Sequence, residues 1–432
     1  MIMTRSTSFL PLLLATLTVA SAANWPNWRG PTGNSVSPET AFATRWSATE
    51  NVLWKTKLPD RGNSSPIVWG DKVFVTQAIE KEGRRTVMAF DRKTGNQLWQ
   101  SGTVFKTEER THDANPYCSA SPTTDGERVY AGFGSAGIFC FNMDGKELWH
   151  RDLGPQNHVW GNASSPVLYG DLCIIYHGPG DGSFMTALNK KTGAVVWKTV
   201  DDPVITAGRT DGFKGQEPGI TGSFSTPALI PVQGHQELVM SYHNQLTALD
   251  PETGKKIWWS EGLNPMVYTS PVWTDDLIIS QGGYFGNTIA VHTGGKGDVT
   301  ATHRKWQLVR DKGGIGSGVI KDGRLYYLNS NSLISCVNIE TGATLWEERV
   351  AGAGAKTSSW SSMVLSGDRI YLLNQSGSTL VLKASPEFEV IAVNSIGNEM
   401  SNSTHALSDG DIFIRTHENL WCIRSSGNVA LK

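Results

Sequence analysis

Three ionisable residues of this 432-residue chain lie where they could perform acid–base chemistry. Asp113 and Glu217 carry carboxylates that could take a proton from a substrate hydroxyl, and His158 could serve as a general base or acid. All three precede short phrases, rich in Ser and Thr, that recur along the chain. Because a lone histidine in a polar loop is more often a surface residue that makes hydrogen bonds, the catalytic assignment stays open.

A second set of residues from the same segments combines aromatic rings, amides and a few charges. Such a mixture suits a flat polar ligand, either a quinone or a sugar, and it is equally typical of solvated loop tips. Glu217, Asn162 and Asp113 could offer oxygen ligands to Ca²⁺, but scattered oxygen-bearing side chains are weak evidence, so no metal site is predicted. The candidate ligand-binding residues are Arg61, Asn63, Asn115, Tyr117, Trp160, Asn162, Tyr268, Lys356, Trp360, Asn402 and His405.

An internal repeat defines the elements that must position these residues. The stretch AFDRKTGNQLW, Ala89 to Trp99, recurs as TALNKKTGAVVW, TALDPETGKKIW and SCVNIETGATLW, each after a phrase such as SSPIVWGDKVFV. Each unit is typical of four short strands, in which Ser/Thr-x-Pro opens the innermost strand and a Trp ends the fourth. Eight such units at a spacing of about 40 to 60 residues predict an all-β, eight-bladed propeller of four-stranded blades.

The eighth unit predicts how the ring closes. Its first three strands fall between Ser403 and Ile423, and no fourth strand follows. NVLW, Asn51 to Trp54, has the pattern of a fourth strand without a blade before it. We therefore expect the N-terminal strand to join the C-terminal blade, which removes the exposed edges of an open sheet array.

The loops that lead into innermost strands converge near the axis of a propeller, so the candidate site residues should meet there. The longest such connection, residues 200–224, exceeds ordinary loop length. It could form a lid or a partner-binding flap, or it could be an insertion without a function. The two interpretations are about equally favoured.

Cysteine usage indicates packing rather than redox chemistry. The chain has five cysteines and no C-x-x-C or vicinal pair. Cys140, Cys336 and Cys422 occupy the place in the repeat that Ala89 occupies in its own unit. Because free cysteine packs like a small apolar residue, these three are predicted to be buried in strands.

The N-terminus predicts export. Residues 1–22 have one Arg, an apolar run and a small-x-small site, which are typical of a secretory signal peptide. Residues 23–50 are then an N-terminal arm, and residues 51–427 form a single propeller domain in the periplasm or outside the cell. A net charge of -2 without a long Lys/Arg cluster disfavours nucleic-acid binding, and no segment after residue 22 is apolar enough to span a membrane.

The unit A-x-D-x-x-T-G-x-x-x-W resembles the repeat of pyrroloquinoline quinone (PQQ) enzymes. It is matched fully between Ala89 and Trp99 and between Ala248 and Trp258, and a third copy has Asn189 in place of the Asp. The opening NWPNWRGPTGNS is similar to the start of secreted bacterial PQQ-like propellers. The resemblance covers nearly the whole chain after residue 22.

The resemblance implies two functional classes. Quinoprotein dehydrogenases hold PQQ and Ca²⁺ on the axis, commonly with a disulfide between neighbouring cysteines, whereas BamB-type propellers bind protein partners without a cofactor. This chain lacks neighbouring cysteines and is short for a dehydrogenase. We therefore predict an exported, monomeric binding or assembly module with a protein partner or small polar ligand on its axial face. The alternative is a PQQ- and calcium-dependent alcohol or sugar dehydrogenase.

Overall fold

The computed structural model describes residues 23–180, 182–216 and 220–425. The predicted signal peptide, the candidate Glu217 and the last residues of the predicted propeller domain lie outside the described residues. Besides strands, the described part contains two short 3₁₀ helices, Glu80–Glu82 and Gly134–Ala136. No helix in it is long and apolar enough to cross a membrane.

Eight sheets of four or five strands follow one another along the chain, which confirms the predicted all-β, eight-bladed propeller. Within blades 1 to 4 every strand pairs antiparallel with the next one along the chain, as expected for short strands joined by tight turns. From the axis outward, the strands of blade 1 are Ile67–Trp69, Lys72–Ile79, Arg84–Asp91 and Gln97–Val104, and those of blade 2 are Thr123–Thr124, Arg128–Gly132, Ile138–Asn142 and Glu147–Arg151. The strands of blade 3 are Val167–Tyr169, Leu172–His177, Phe184–Asn189 and Val195–Val200, and those of blade 4 are Ala228–Val232, His235–Ser241, Gln245–Leu249 and Lys256–Glu261.

Blades 5 to 8 repeat this plan, with one exchange at the end. The outermost strand of blade 8 comes from the N-terminal part of the chain, whereas blades 5 to 7 are continuous in sequence. From the axis outward, the strands of blade 5 are Val272–Trp273, Leu277–Gln281, Thr288–His292 and Arg304–Leu308, and those of blade 6 are Val319–Lys321, Arg324–Leu328, Ile334–Asn338 and Thr344–Glu348. The strands of blade 7 are Val364–Ser366, Arg369–Leu373, Ser378–Lys383 and Val390–Ser395, and those of blade 8 are Ala406–Ser408, Asp411–Arg415, Asn419–Arg424 and Val52–Lys57.

The closing strand pair confirms the predicted link between the two ends of the sequence. Val52–Lys57 runs antiparallel to Asn419–Arg424, and Trp54 lies opposite Cys422. The strand begins and ends a little later than the predicted Asn51 to Trp54. Closure pairs the outer edge of Asn419–Arg424, which would otherwise be open.

Three short parallel pairs supplement the blades. Val36–Ser37 of the N-terminal arm adds to the innermost strand of blade 7, beside Leu365 and Ser366. Gly297–Asp298 covers the outer edge of blade 4 next to Trp258 and Trp259. The third pair joins Gly222–Ser223 to Met266–Val267 in the connections before blades 4 and 5.

The Thr-Gly turn of one blade packs against the Trp of the blade before it. A Cβ on Gly95 would lie 2.6 Å from the indole of Trp54, and the Trp54 Nε1 donates to the carbonyl of Arg92 at 2.7 Å. Gly95 has a φ of +73°, so the turn requires glycine for its backbone as well as for space. The same arrangement joins Trp99 to Gly145, Trp149 to Gly193, Trp197 to Gly254 and Trp306 to Gly342.

A small residue lies opposite each of these tryptophans in the neighbouring strand. Ala89 faces Trp99, and Cys140 faces Trp149 in the equivalent pair. A β-bulge follows each pair and accommodates the turn. All five cysteines are buried and free, so the predicted packing role is confirmed for Cys140, Cys336 and Cys422.

Candidate functional site

A closed ring of hydrogen bonds surrounds the propeller axis. In each blade the Ser or Thr just before the innermost strand accepts a hydrogen bond at its hydroxyl oxygen from the backbone N–H of its counterpart in the preceding blade. The donor–acceptor distances lie between 2.8 and 3.0 Å. The ring runs through Ser65, Ser121, Ser165, Thr226, Ser270, Ser317, Ser362 and Thr404 and returns to Ser65. We call this set the hydroxyl ring.

The hydroxyl ring leaves hydrogen-bonding capacity directed at the axis. Each oxygen accepts one backbone N–H, and each hydroxyl also carries a hydrogen that it can donate. Within residues 23–180, 182–216 and 220–425, none of these eight hydroxyl hydrogens has a protein acceptor. Because all eight residues line one cavity, their hydrogens are available to a ligand or to water there.

This axial cavity has a volume of about 510 Å³. Its lining combines the hydroxyl ring with amides and aromatic rings, and the described lining residues carry no carboxylate, ammonium or guanidinium group. The amides are those of Asn63, Asn115 and Asn402. The aromatic rings are those of Trp28, His112, Trp160, Phe213, Phe224, Tyr268, Tyr284 and Trp360.

The aromatic residues form a continuous wall rather than isolated contacts. Phe224 and Tyr268 stack with ring centres 5.7 Å apart and planes 8° apart, and Trp160 stacks on Tyr268 at 6.4 Å. His112 then lies 6.4 Å from Trp160 and 6.4 Å from Trp360. Mutual packing of this kind fixes ring orientation before any ligand arrives.

The amides tie the loops of separate blades together. The Asn115 Nδ2 donates to the carbonyl of Trp160 at 2.7 Å. The Nδ2 groups of Asn63 and Asn402 both donate to the carbonyl of Ala114, at 2.8 and 3.2 Å. These bonds join blades 1, 2, 3 and 8 around one rim, so the cavity is preformed.

The N-terminal arm closes the cavity on the opposite side. The loops that line the cavity come just before the hydroxyl-ring residues in the sequence, whereas the arm binds residues that come just after them. The loops and the arm therefore lie on opposite sides of the hydroxyl ring. Trp25 pairs with Val68 in blade 1, and the carbonyl of Pro26 accepts the N–H of Thr124 in blade 2 at 2.9 Å. Trp28, from the same arm, contributes to the cavity lining.

Arg29 anchors the arm and is directed away from the cavity. Its guanidinium donates to the Ser35 hydroxyl at 3.0 Å and to the carbonyls of Pro271 and Gly318 at 3.1 and 3.4 Å. No described carboxylate forms an ion pair with it, and burial lowers the pKa of Arg29 to about 9. Its cation is therefore held by backbone carbonyls.

The structure brings six of the predicted ligand-binding residues to the cavity wall. They come from the loops before the innermost strands, as expected for a propeller. Their role in binding stays a prediction. The six are Asn63, Asn115, Trp160, Tyr268, Trp360 and Asn402.

The other predicted residues of the described chain do not line the cavity. Arg61 pairs with Glu80 at 3.2 Å and donates to the carbonyl of exposed Asp113 at 3.0 Å, so both belong to the rim. The ring of Tyr117 packs under the Arg85 guanidinium at 3.7 Å. Asn162 is half-buried beside Gly134 and Lys356 is exposed.

Two predicted histidines are buried behind the lining. His405 lies between blades 7 and 8 with its Nε2 2.9 Å from the Thr379 hydroxyl, and burial lowers its pKa to about 3. The Nδ1 of His158 accepts the backbone N–H of Trp160 at 3.2 Å, and the His158 ring meets Phe224 at 5.3 Å. Burial lowers the pKa of His158 to about 4, so it is neutral at ordinary pH and supports the aromatic wall from behind.

Sequence reasoning missed part of the lining. Trp28, His112 and the three aromatic residues Phe213, Phe224 and Tyr284 were not predicted. The hydroxyl ring is visible in the sequence as a Ser or Thr at one place in all eight units, where the repeat pattern predicts only the start of a strand. Its recurrence in every blade is the signal that could have revealed the ring.

Comparison with known proteins identifies the family. A family model described as "Outer membrane protein assembly factor BamB" matches residues 36–182 and 180–430. The chain belongs to this family. The Outer membrane protein assembly factor BamB of Yersinia pestis is 26% identical over 332 residues, which cover 73% of this chain and 74% of that protein.

Two solved structures have the same fold as this family member. BamB from Moraxella catarrhalis superposes with a TM-score of 0.59 at 13% identity and covers 87% of this chain and 97% of its own. The quinohemoprotein alcohol dehydrogenase of Comamonas testosteroni superposes with a TM-score of 0.64 at 13% identity and covers 93% of this chain and 80% of its own. Similarity at this identity shows the fold alone.

The described lining does not fit the cofactor of the dehydrogenases with PQQ-like repeats. PQQ is a tricarboxylate, and the Ca²⁺ that accompanies it prefers several oxygen ligands that include carboxylates. The described lining contains no lysine or arginine to pair with the carboxylates, and burying unpaired carboxylates there would be costly. No group of three or more His, Cys, Asp or Glu in the described segments could hold a metal ion.

Proposed function

We propose that this family member is an exported binding module that holds its ligand or partner in the axial cavity and performs no oxidation. The observation that carries the proposal is the chemistry of the described cavity lining, which offers hydrogen bonds and aromatic faces but no charged group. General acid–base catalysis needs a titratable group within hydrogen-bonding reach of the reacting proton. Of the predicted acid–base residues, Asp113 is exposed on the rim and His158 lies behind the wall. His112, Tyr268 and Tyr284 do line the cavity, but no carboxylate accompanies them in the described lining.

The proposed location is the periplasm or the space outside the cell. The signal-peptide pattern of residues 1–22 supports export. The family's description as an outer membrane protein assembly factor supports the periplasm and a role as a scaffold. We expect a monomer, because closure pairs the outer edge of Asn419–Arg424 within the chain and so removes an edge at which a second copy could add a strand.

The competing function is a PQQ- and calcium-dependent alcohol or sugar dehydrogenase. Titration of the purified full chain with PQQ and CaCl₂, followed by tryptophan fluorescence, tests it directly because Trp160 and Trp360 line the cavity. A dye-linked oxidation assay on alcohols and sugars completes the test. We expect neither saturable quinone binding nor turnover. Saturable binding with turnover, lost in Trp160→Ala, would overturn the proposal.

A further inference from the structure

We infer that the axial cavity binds an uncharged disaccharide. The inference rests on the proposed function, because it assigns a ligand class to the same non-catalytic site. A cavity of about 510 Å³ falls within the roughly 300–1,000 Å³ that small-molecule sites occupy. Three properties of its lining select the class: aromatic faces, bidirectional hydrogen bonding and the absence of charge from the described lining.

The aromatic faces supply the apolar half of the recognition. Trp360 and Trp160 stand on either side of His112, and both indoles are half-buried with part of their surface open to the cavity. A pyranose presents a face of C–H groups that covers such a ring, as other flat or disc-shaped ligands do. Trp360 makes no side-chain hydrogen bond within the described chain, so its surface is available.

The hydroxyl ring supplies the polar half. Each hydroxyl has a free hydrogen and a second lone pair on its oxygen, so it can donate and accept at once. Sugar hydroxyls have the same double capacity and point outward around the edge of the sugar ring. Asn115 lines this cavity, and its Oδ1 accepts no protein hydrogen bond in the described part of the chain, so it offers an acceptor for a sugar hydroxyl.

The neutral lining decides against charged relatives of sugars. A carboxylated or phosphorylated saccharide would bury its charge without a lysine or arginine partner, because the described lining contains neither and Arg29 does not line the cavity. A quaternary ammonium ligand would suit the aromatic wall but cannot accept hydrogen bonds, so it would leave the eight free hydroxyl hydrogens without an acceptor. An uncharged polyol satisfies the rings and the hydroxyls together.

Isothermal titration calorimetry of the full chain tests the inference without added PQQ or Ca²⁺. The probes are the neutral disaccharides maltose, cellobiose, lactose and N,N′-diacetylchitobiose, with glucuronate and choline as charged probes. We expect saturable binding of at least one neutral disaccharide below about 10 mM, and binding about tenfold weaker or worse in Trp360→Ala and Trp160→Ala. Trp259→Ala is the matched control, because Trp259 lies on the outer strand of blade 4 beside Lys256.

Any one of three outcomes would overturn the inference. The first is no binding of any neutral disaccharide, the second is tighter binding of glucuronate or choline, and the third is equal binding by the wild type and Trp360→Ala. The proposed function fails separately, only if PQQ with Ca²⁺ binds and supports turnover. Recovery of the unaltered sugar after incubation distinguishes the two results.

Discussion

Trp54 faces Cys422 across the strand pair that joins the two ends of the described chain, and its Nε1 donates to the carbonyl of Arg92 at 2.7 Å. The Trp54 side chain therefore links the N-terminal strand to the rest of blade 8 and to blade 1. It also packs on Phe413 with ring centres 6.0 Å apart. The closure depends on this indole as well as on backbone pairing.

Replacement of Trp54 tests that dependence. We expect Trp54→Ala to lower the free energy of unfolding by about 3–5 kcal/mol, because a large buried ring and its hydrogen bond are both lost. Leu53→Ala is the control on the same strand, since Leu53 is 39% exposed and should cost less than about 1 kcal/mol. Urea unfolding followed by fluorescence measures both, and equal losses would contradict a special role for the indole.

A pair of glycines separates backbone strain from steric overlap. Gly95 and Gly70 both have positive φ, at +73° and +56°, so an alanine at either position should cost about 1–2 kcal/mol. A Cβ at Gly95 also meets Trp54 at 2.6 Å, whereas a Cβ at Gly70 meets nothing within 4 Å. We expect Gly95→Ala to lower the free energy of unfolding, measured in urea, by about 1–3 kcal/mol more than Gly70→Ala does. Similar costs would show that the indole moves aside freely.

The hydroxyl ring should stabilise the fold independently of any ligand. The Ser65 N–H donates to the Ser121 Oγ at 2.8 Å, and both residues are buried, so Ser121→Ala removes the acceptor of this N–H. We expect a loss of about 1–3 kcal/mol, the usual cost of an unsatisfied buried group. Ser121→Thr keeps the hydroxyl, as Thr226 does in the native ring, and should stay within about 1 kcal/mol of the wild type. Equal stability of Ser121→Ala and the wild type would refute the proposed contribution.

Asp201 should make stability depend on pH near neutrality. Burial raises the pKa of Asp201 to about 7, while the Tyr176 hydroxyl donates to it at 2.5 Å. In the unfolded chain this carboxyl ionises near pH 4, so the folded protein retains a proton that the unfolded chain has lost. The stabilising contribution is complete below about pH 4 and is lost as the pH rises through 7.

Comparison of the wild type with Asp201→Asn isolates this contribution. We expect the difference in unfolding free energy to change by up to about 1.4 kcal/mol per pH unit between pH 5 and 7. Asp202→Asn is the contrasting variant, because the side chains of Lys256 and Gln245 lower the pKa of the more exposed Asp202. Its contribution should instead be lost as the pH falls below 4. A parallel pH profile for the wild type and Asp201→Asn would contradict the raised pKa.

The fold could be predicted because each blade repeats its information. A Ser/Thr phrase, a Thr-Gly turn and a Trp recur with one meaning, and even the missing strand of the eighth unit was identified by the unmatched segment around Trp54. The parallel strand pairs that supplement the blades, such as Val36–Ser37 with blade 7, do not recur from one repeat unit to the next. They depend on long-range contacts that local patterns do not encode.

The site could be predicted only in part, because loop position does not determine which way a side chain points. Trp160 and His158 come from the same loop, yet Trp160 lines the cavity and His158 supports it from behind. Phe213 reaches the wall from the long connection before blade 4, where it packs on Trp160 at 5.4 Å. Trp28 reaches the cavity from an arm that precedes the first blade in the sequence. Tertiary packing decided each of these placements.

The shared eighth blade also sets an order of assembly during biosynthesis. Residues 52–57 emerge early from the ribosome and have no partner strand until residues 419–424 have followed. Through almost the whole of translation, the edge of residues 52–57 therefore lacks its partner strand and can recruit other polypeptides. A nascent chain cut short before residue 419 keeps this edge unpaired, so the joint closes only after residues 419–424 have been made.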